Sequence, residues 1–243
     1  MLFNSIEFVF FFVIVLAIIT IYKNKNFQHF FLLIASCFFL YFSNNYLIGL
    51  LIFSIILDFY VGKMIWQTSS KQKKKILLSI SLVGNLALLG FFKYADFAIM
   101  QFNIMGNYFD LTNDIPLLDL ILPIGISFYT FQTITYTVDI YRGKLTPSKS
   151  LKEFALFVSF FPQLVAGPIV RASEFLPQLR EKLEKIDGVS KLKQIRIHPN
   201  NLKLGITLMA FGFFKKMFFA DNIAPLVNNI FSNPMGMESF SII

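Results

Sequence analysis

Seven apolar runs, at positions 8–22, 30–42, 46–61, 76–92, 117–138, 154–170 and 204–220, follow one another with only short charged gaps between them. Most are shorter than the roughly 20 residues a helix needs to cross a bilayer. They can span by recruiting flanking residues such as Glu7, Phe27 or Gly62, or because the surrounding bilayer is thinned. The chain is 56% hydrophobic and 15% charged, whereas charged residues make up about a quarter of an ordinary soluble domain. The expected fold is therefore an all-α polytopic membrane protein with about six transmembrane helices plus a re-entrant segment. With no internal repeat and no low-complexity linker, residues 1–243 read as a single membrane domain. The first run lacks a small-residue cleavage site and is followed at once by more membrane segments, so it reads as a retained helix.

The charge pattern orients the runs. Lysines cluster at 71–75, and the positive-inside rule puts that gap in the cytoplasm. The first four runs then alternate from an external N-terminus, with Lys23 and Lys25 inside and the gap at 93–115, which carries Asp96, Asp110 and Asp114, outside. After the fifth run, Arg142, Lys144, Lys149 and Lys152 are inside again. The net charge of +8 is thus explained by retention of short loops. No soluble basic domain is present to bind nucleic acid, which is not expected as a partner. The single Cys37 lies in an apolar run and supplies neither a disulfide framework nor a thiolate metal site.

The sixth run breaks the alternation, because the gap after it, from Arg171 to Lys203, is the most basic in the chain. Pro162, Gly167 and Pro168 supply the breaks that a re-entrant hairpin needs; the alternative is a kinked span. Non-helical backbone survives at membrane depth only when buried in protein or facing a wet cavity. Beyond it, Leu176, Leu179, Leu183 and Ile186 recur at helical spacing, so 174–186 reads as an amphipathic interfacial helix, followed by a turn at Asp187-Gly188. In the last run Lys215 and Lys216 fit the charge rule poorly, so charge assigns no side of the membrane to the segment from Leu204 to Ile243.

Within the fifth run, Tyr129, Gln132, Tyr136 and Asp139 fall at i, i+3, i+7 and i+10, on one face of a helix. Polar groups in hydrocarbon turn toward a bundle interior or a cavity, so this stripe either lines a path or holds helices together. Thr130, Thr133, Thr135 and Thr137 are less demanding, since a threonine hydroxyl can bond its own helix. Asp58 and Lys93 sit near run ends, where interfacial placement would accommodate them. His29 and His198 have no carboxylate, Ser or Cys spaced to form a triad or a metal site. No dinucleotide fingerprint, phosphate loop or metal-ligand cluster is recognisable, and no metal is expected.

Four segments carry a resemblance: LLGFFKYADF at 88–97, LPIGISFYTFQTITYTVDIYRG at 122–143, FFPQLVAGPIVR at 160–171 and FGFFKKMFFADN at 211–222. In sequence, order and spacing they resemble signatures of the membrane-bound O-acyltransferases, specifically the bacterial alginate O-acetyltransferase branch. The D-alanyl transfer branch that acts on teichoic acids is similar in architecture. The resemblance implies a ring of tilted helices around a thinned, water-accessible centre in a bacterial inner (cytoplasmic) membrane. It also implies transfer of an acetyl group from a cytoplasmic donor such as acetyl-CoA, a substrate and not a bound cofactor. The acceptor would be hydroxyls of an exported polysaccharide, reached directly or through an extracytoplasmic acetyltransferase. Tyr129, Gln132, Tyr136, Asp139, Arg142, Gln163 and Arg171 are the candidates for lining the substrate path. The family's catalytic histidine follows the Lys-Lys to Ala-Asp block, which here occupies 215–221, and no later motif is present before Ile243. The resemblance therefore places that histidine beyond Ile243. The chain is expected to be the N-terminal half of such an enzyme, with no catalytic residue of its own. The alternatives are a D-alanyl-type transferase or a non-catalytic membrane scaffold or partner subunit.

Overall fold

The computed structural model describes residues 3, 5–44, 48–109, 115–123, 125–164, 170–180, 183–186, 189–192 and 198–232. It is built almost wholly from helices: α1 (Ile6–Ile21), α2 (Lys25–Asn44), α3 (Ile48–Gln67), α4 (Lys71–Tyr108), α5 (Ile126–Tyr141), α6 (Leu151–Ser159), α7 (Phe161–Leu164), α8 (Ala172–Arg180), α9 (Pro199–Phe214) and α10 (Asp221–Ser232). A two-stranded hairpin, β1 (Leu183–Ile186) with β2 (Val189–Leu192), follows α8. Among the described residues α3 and α4 are long and apolar enough to cross a membrane; α1 is apolar but shorter. Residues 14–194 pack as one unit, and Leu2–Val13 with Ile195–Ile243 as a second.

Local signals set the helix starts. The side chain of Asn24 accepts from the backbone N–H groups of Asn26 and Phe27 at the start of α2, and Ser70 accepts from the N–H of Lys73 at the start of α4. Such caps satisfy donors that have no partner inside the helix. Gly125 begins α5 in the left-handed region, at φ 82°, where a side chain is also excluded by space. A Cβ there would lie 2.9 Å from the Leu164 carbonyl oxygen.

The centre of the first unit is the packing of α3, α4 and α5. Gly62 brings α3 against α5 so closely that a Cβ would meet Tyr136 at 2.9 Å and Ile140 at 3.0 Å, and Gly84 admits Leu57 in the same way between α4 and α3. These pairs, together with bonds from Asp58 to Ser81 and from Ser81 to Thr137, make α3 and α5 parallel and α4 antiparallel to both. Helix α6 runs antiparallel to α5: Phe154 stacks on Tyr136 at 4.3 Å between ring centroids, Phe157 meets Gln132, and Leu164 reaches Gly125. The end of α3 and the starts of α4 and α6 therefore lie at one end of the bundle with the end of α5. That is the arrangement the charge pattern requires of the lysines at 71–75 and the basic residues at 142–152.

Three expectations change. The apolar stretch at 76–92 is only the first half of α4, whose 38 residues make a rod of about 57 Å, so the gap expected at 93–115 is helical as far as Tyr108. Residues 115–118 run back along this extension, where Asn103 exchanges two hydrogen bonds with the Ile115 backbone (2.8 and 2.9 Å) and Asp96 accepts from the N–H of Leu118 at 2.7 Å. The fifth run becomes helical only at Ile126, because Pro123 and the left-handed Gly125 hold the preceding residues out of the helix. The amphipathic helix expected at 174–186 stops at Arg180, and Leu183 and Ile186 belong to β1 instead. Spacing of i, i+3 does not separate a helix from a hairpin over so few residues, and an Asp-Gly pair between two apolar ends is a strong hairpin signal. The strands pair Leu183 with Leu192 and Ile186 with Val189 in register; the turn residues 187–188 lie outside the described residues.

In the second unit, α9 and α10 are joined without interruption by a π-helical turn, Lys215–Ala220. Nearly all the described side chains of this helix are exposed, with Leu204, Phe211, Phe218 and Leu226 each more than half open. The segment from Leu204 to Ile243, to which charge assigns no side, is described only as far as Ser232, and Ile243 lies outside the described residues.

Candidate functional site

The two sides of α5 carry different polar sets. Tyr129, Gln132 and Tyr136 are all buried, the last two against α6. Gln132 donates from Nε2 to the Phe157 carbonyl at 2.9 Å. That carbonyl is in the last turn of α6, where the helix leaves its final four C=O groups without internal partners. The Tyr136 hydroxyl accepts from the backbone N–H of Ser148 at 3.0 Å, and its ring is fully enclosed. The Tyr129 hydroxyl is buried with no partner among the described residues.

On the other side, Asp58 of α3 is fully buried and accepts from the Ser81 hydroxyl and, at 2.8 Å, from Asn85 Nδ2. Ser81 lies 3.0 Å from the Thr137 hydroxyl, and Thr133 donates toward Asn85 Oδ1 at 3.4 Å. Asn85 spends its second N–H on the Ser81 carbonyl of its own helix. The threonines also bond the backbone of α5, Thr135 to Gln132 and Thr137 to Ile134, as expected of hydroxyls in a helix. Sequence reasoning put Asp58 near the interface; the structure puts it in the middle of the three-helix packing, where the surrounding hydroxyls and amide meet its oxygens. The missed signal was the i, i+4 pair Ser81 and Asn85, opposite Thr133 and Thr137 at the same spacing.

Of the remaining path candidates, Gln163 lies on α7 and is 9% exposed, with its Nε2 buried and unpartnered among the described residues. Ser159, at the end of α6, is likewise buried without a partner for its hydroxyl. Asp139 is half-buried near the end of α5, Arg142 is the exposed residue that ends it, and Arg171 is exposed just before α8. The structure thus sets Gln132 against the last turn of α6, Tyr136 against its start and Gln163 on α7, and leaves both arginines at the surface. The break itself is sharp. Helix α6 has 9 residues, about 13 Å, and ends at Phe160, after which α7 makes a single turn. The α7 backbone is tied to α2 by a bond from the Phe161 N–H to the Ser36 hydroxyl at 3.3 Å. Helix α8 then packs back, its Phe175 ring 5.5 Å from that of Phe157 and 5.3 Å from that of Phe160.

The two histidines lie outside α5, α6 and α7. His29, in the first turns of α2, is buried, with Lys25, Lys152 and Glu153 as its charged neighbours. His198 precedes α9 and is exposed. The position at which the resemblance expects the catalytic histidine, beyond Ile243, lies outside the described residues. In the π-helical turn, Lys216 donates to both oxygens of Asp221 at 2.8 Å. An i, i+5 pair falls on one face only where the helix widens, and here the N–H of Asp221 also bonds the Lys216 carbonyl. That pairing is how the chain accommodates a lysine the charge rule disfavours.

Residues 144–243 match the family model described as MBOAT, membrane-bound O-acyltransferase family. The "Peptidoglycan O-acetyltransferase" of Helicobacter pylori is 35% identical over 83% of this chain and 40% of its own length. The "Probable alginate O-acetylase AlgI" of Pseudomonas aeruginosa is 32% identical over 96% of this chain and 42% of its own length, and the protein of that name from Azotobacter vinelandii is 30% identical over 96% and 44%. The chain spans about two fifths of the length of these curated relatives. No solved structure matches it.

Proposed function

We propose that this chain, which belongs to the membrane-bound O-acyltransferase family, forms part of an enzyme that transfers acetyl groups to hydroxyls of an exported cell-surface polysaccharide. The observation that carries the reading is the α6–α7 break, a short, largely buried, interrupted helix that itself carries the buried polar groups of Ser159 and Gln163. Irregular backbone of this kind is tolerated at membrane depth only when buried in protein or facing a wet cavity. The relatives named for acetyl transfer to peptidoglycan and to alginate support a carbohydrate hydroxyl as the acceptor.

In this reading the chain is a multi-pass protein of the bacterial inner membrane, with about six crossings and a re-entrant segment at 154–170. The return of α8 to the level of Phe157 and Phe160, after α7 has reached Gly125, supports re-entry. Tyr129, Gln132, Tyr136 and Gln163 line the route to the reaction centre, and Asp139, Arg142 and Arg171 stand nearer the cytoplasmic mouth. There the donor, an acyl thioester such as acetyl-CoA, enters. The acetyl group leaves on the far side, to the acceptor or to an extracytoplasmic acetyltransferase. Neither histidine is assigned a catalytic role, since transfer from a thioester to a hydroxyl needs a base with a pKa near the working pH. The test is deletion of the gene in its host with measurement of ester-linked acetate on isolated surface polysaccharides. Loss of acetate from one polysaccharide, restored by the intact gene, is the expected result. An unchanged acetate content on every surface polysaccharide would overturn the reading.

A further inference from the structure

The first half of α4 presents two grooves that the acyl-transfer reading does not use. One, of about 780 Å³, runs along a single face of the helix from Gln72 and Lys75 past Ile76, Ser79 and Ile80 to Gly84. Its residues recur at i, i+3 and i+4, so they form one stripe, and it falls within the range of volumes typical of ligand sites. Ser79 bonds its own helix through the Lys75 carbonyl at 3.0 Å, which leaves the groove wall effectively apolar. The second, of about 400 Å³, lies where α3 turns into α4 and is bounded by Met64, Gln67, Thr68, Lys73, Ile76 and Leu77. The two grooves share Ile76, and each has a lysine at the same end: Lys75 on the first, Lys73 on the second. Lys71 and Lys74 complete a cluster of four, all in the opening turns of the helix.

We propose that this end of α4 is a binding site for one anionic phospholipid of the cytoplasmic leaflet, straddling Ile76 with its phosphate between Lys73 and Lys75 and one acyl chain in each groove. The inference rests on the membrane reading above, which puts residues 71–75 at the cytoplasmic surface. A groove open to the bilayer is filled by hydrocarbon whatever its shape. What makes this one selective is the coincidence of two chain-sized channels, a shared ridge and a fixed positive charge at the depth of the headgroups. Basic clusters directly cytoplasmic of a membrane helix attract anionic lipid, by about fivefold for each lysine. Here the apolar channels convert that diffuse attraction into a position.

The single tryptophan, Trp66, lies on α3 one residue before Gln67 of the second groove, which it does not line, and is 49% exposed, so its fluorescence reports on lipid around that end of α3. The full chain is reconstituted in vesicles of phosphatidylcholine containing a minor fraction of either bromine-labelled phosphatidylglycerol or bromine-labelled phosphatidylcholine. Stronger quenching by the labelled anionic lipid is expected. Lys73→Gln with Lys75→Gln should reduce that preference by about fivefold for each lysine. Ile80→Phe with Val83→Phe, which fills the long groove and leaves every lysine in place, should also lower it. Equal quenching by the two lipids in the unaltered chain would overturn the proposal. So would a preference that the groove-filling pair leaves intact, since that describes a diffuse ionic layer and no site. A Trp66 that no labelled lipid quenches would instead overturn the membrane placement of α3 on which the proposal rests.

Discussion

Gln132 has two tasks that separate under mutation. Its bond to the Phe157 carbonyl joins α5 to the frayed end of α6, and such interhelical bonds in membrane proteins contribute on the order of 0.6 to 2 kcal/mol. Gln132→Leu keeps the size and removes the donor, so the intact enzyme should insert normally and melt at a lower temperature in detergent. If the stripe lines the route, acetylation per folded molecule should fall as well; if it stays unchanged both there and in Tyr136→Phe, the stripe is packing alone. Asp58 gives a second contrast. Asp58→Leu strands the Ser81 hydroxyl and the Asn85 amide in the bundle, whereas Asp58→Asn retains an acceptor for one of them, so the leucine variant should show the larger loss of melting temperature. The periodicity of α5 exposed Tyr129, Gln132 and Tyr136 to sequence reasoning because they share one helix. Asp58 and its partners are spread over three helices, and the i, i+4 spacing of Ser81 with Asn85 and of Thr133 with Thr137 does not by itself name the carboxylate they surround.

Helices α3 to α8 were legible where charge and apolar length agreed and illegible where the chain is irregular at depth. The lysines at 71–75 run against the preference for acidic residues at a helix start, so their placement reflects a side of the membrane and not the stability of α4. The parallel packing of α3 and α5 then fits a cytoplasmic placement for both loops. By contrast, hydropathy cannot see that Gly125 must stay left-handed to clear Leu164, or that an Asp-Gly pair ends the amphipathic pattern in a hairpin. The topology is open to labelling. With Cys37 replaced by Ser, single cysteines at Gln72, Asn107, Lys149 and Ser190 are probed in intact cells with an impermeant thiol reagent; Lys149 is chosen because it is exposed beside the buried Ser148. Only the Asn107 position, at the far end of the long α4 rod, should react. Reaction at Ser190 without reaction at Lys149 would make residues 154–170 a crossing and remove the re-entrant segment.

At the scale of the molecule, the described residues offer a surface that water does not suit. Large apolar side chains are exposed on α1, α2, α4 and along the helix from Pro199 to Ser232, as expected of surfaces that meet lipid or other membrane segments. Acyl transfer to a sugar hydroxyl needs a proton acceptor held within hydrogen-bond reach of that hydroxyl. Of the two histidines, His29 is buried in α2, and His198 is exposed ahead of α9. Residues 1–243 expressed alone in a strain lacking the gene should therefore insert in the membrane yet leave polysaccharide acetate at the level of the deletion, while the intact gene restores it. Membrane fractionation and the alkali-released acetate are measured on the same cultures, so that a failure to insert is not mistaken for a failure to catalyse. Acetate restored by residues 1–243 alone, and lost again in His29→Ala or His198→Ala, would identify one of these histidines as the base and reverse the assignment made for them.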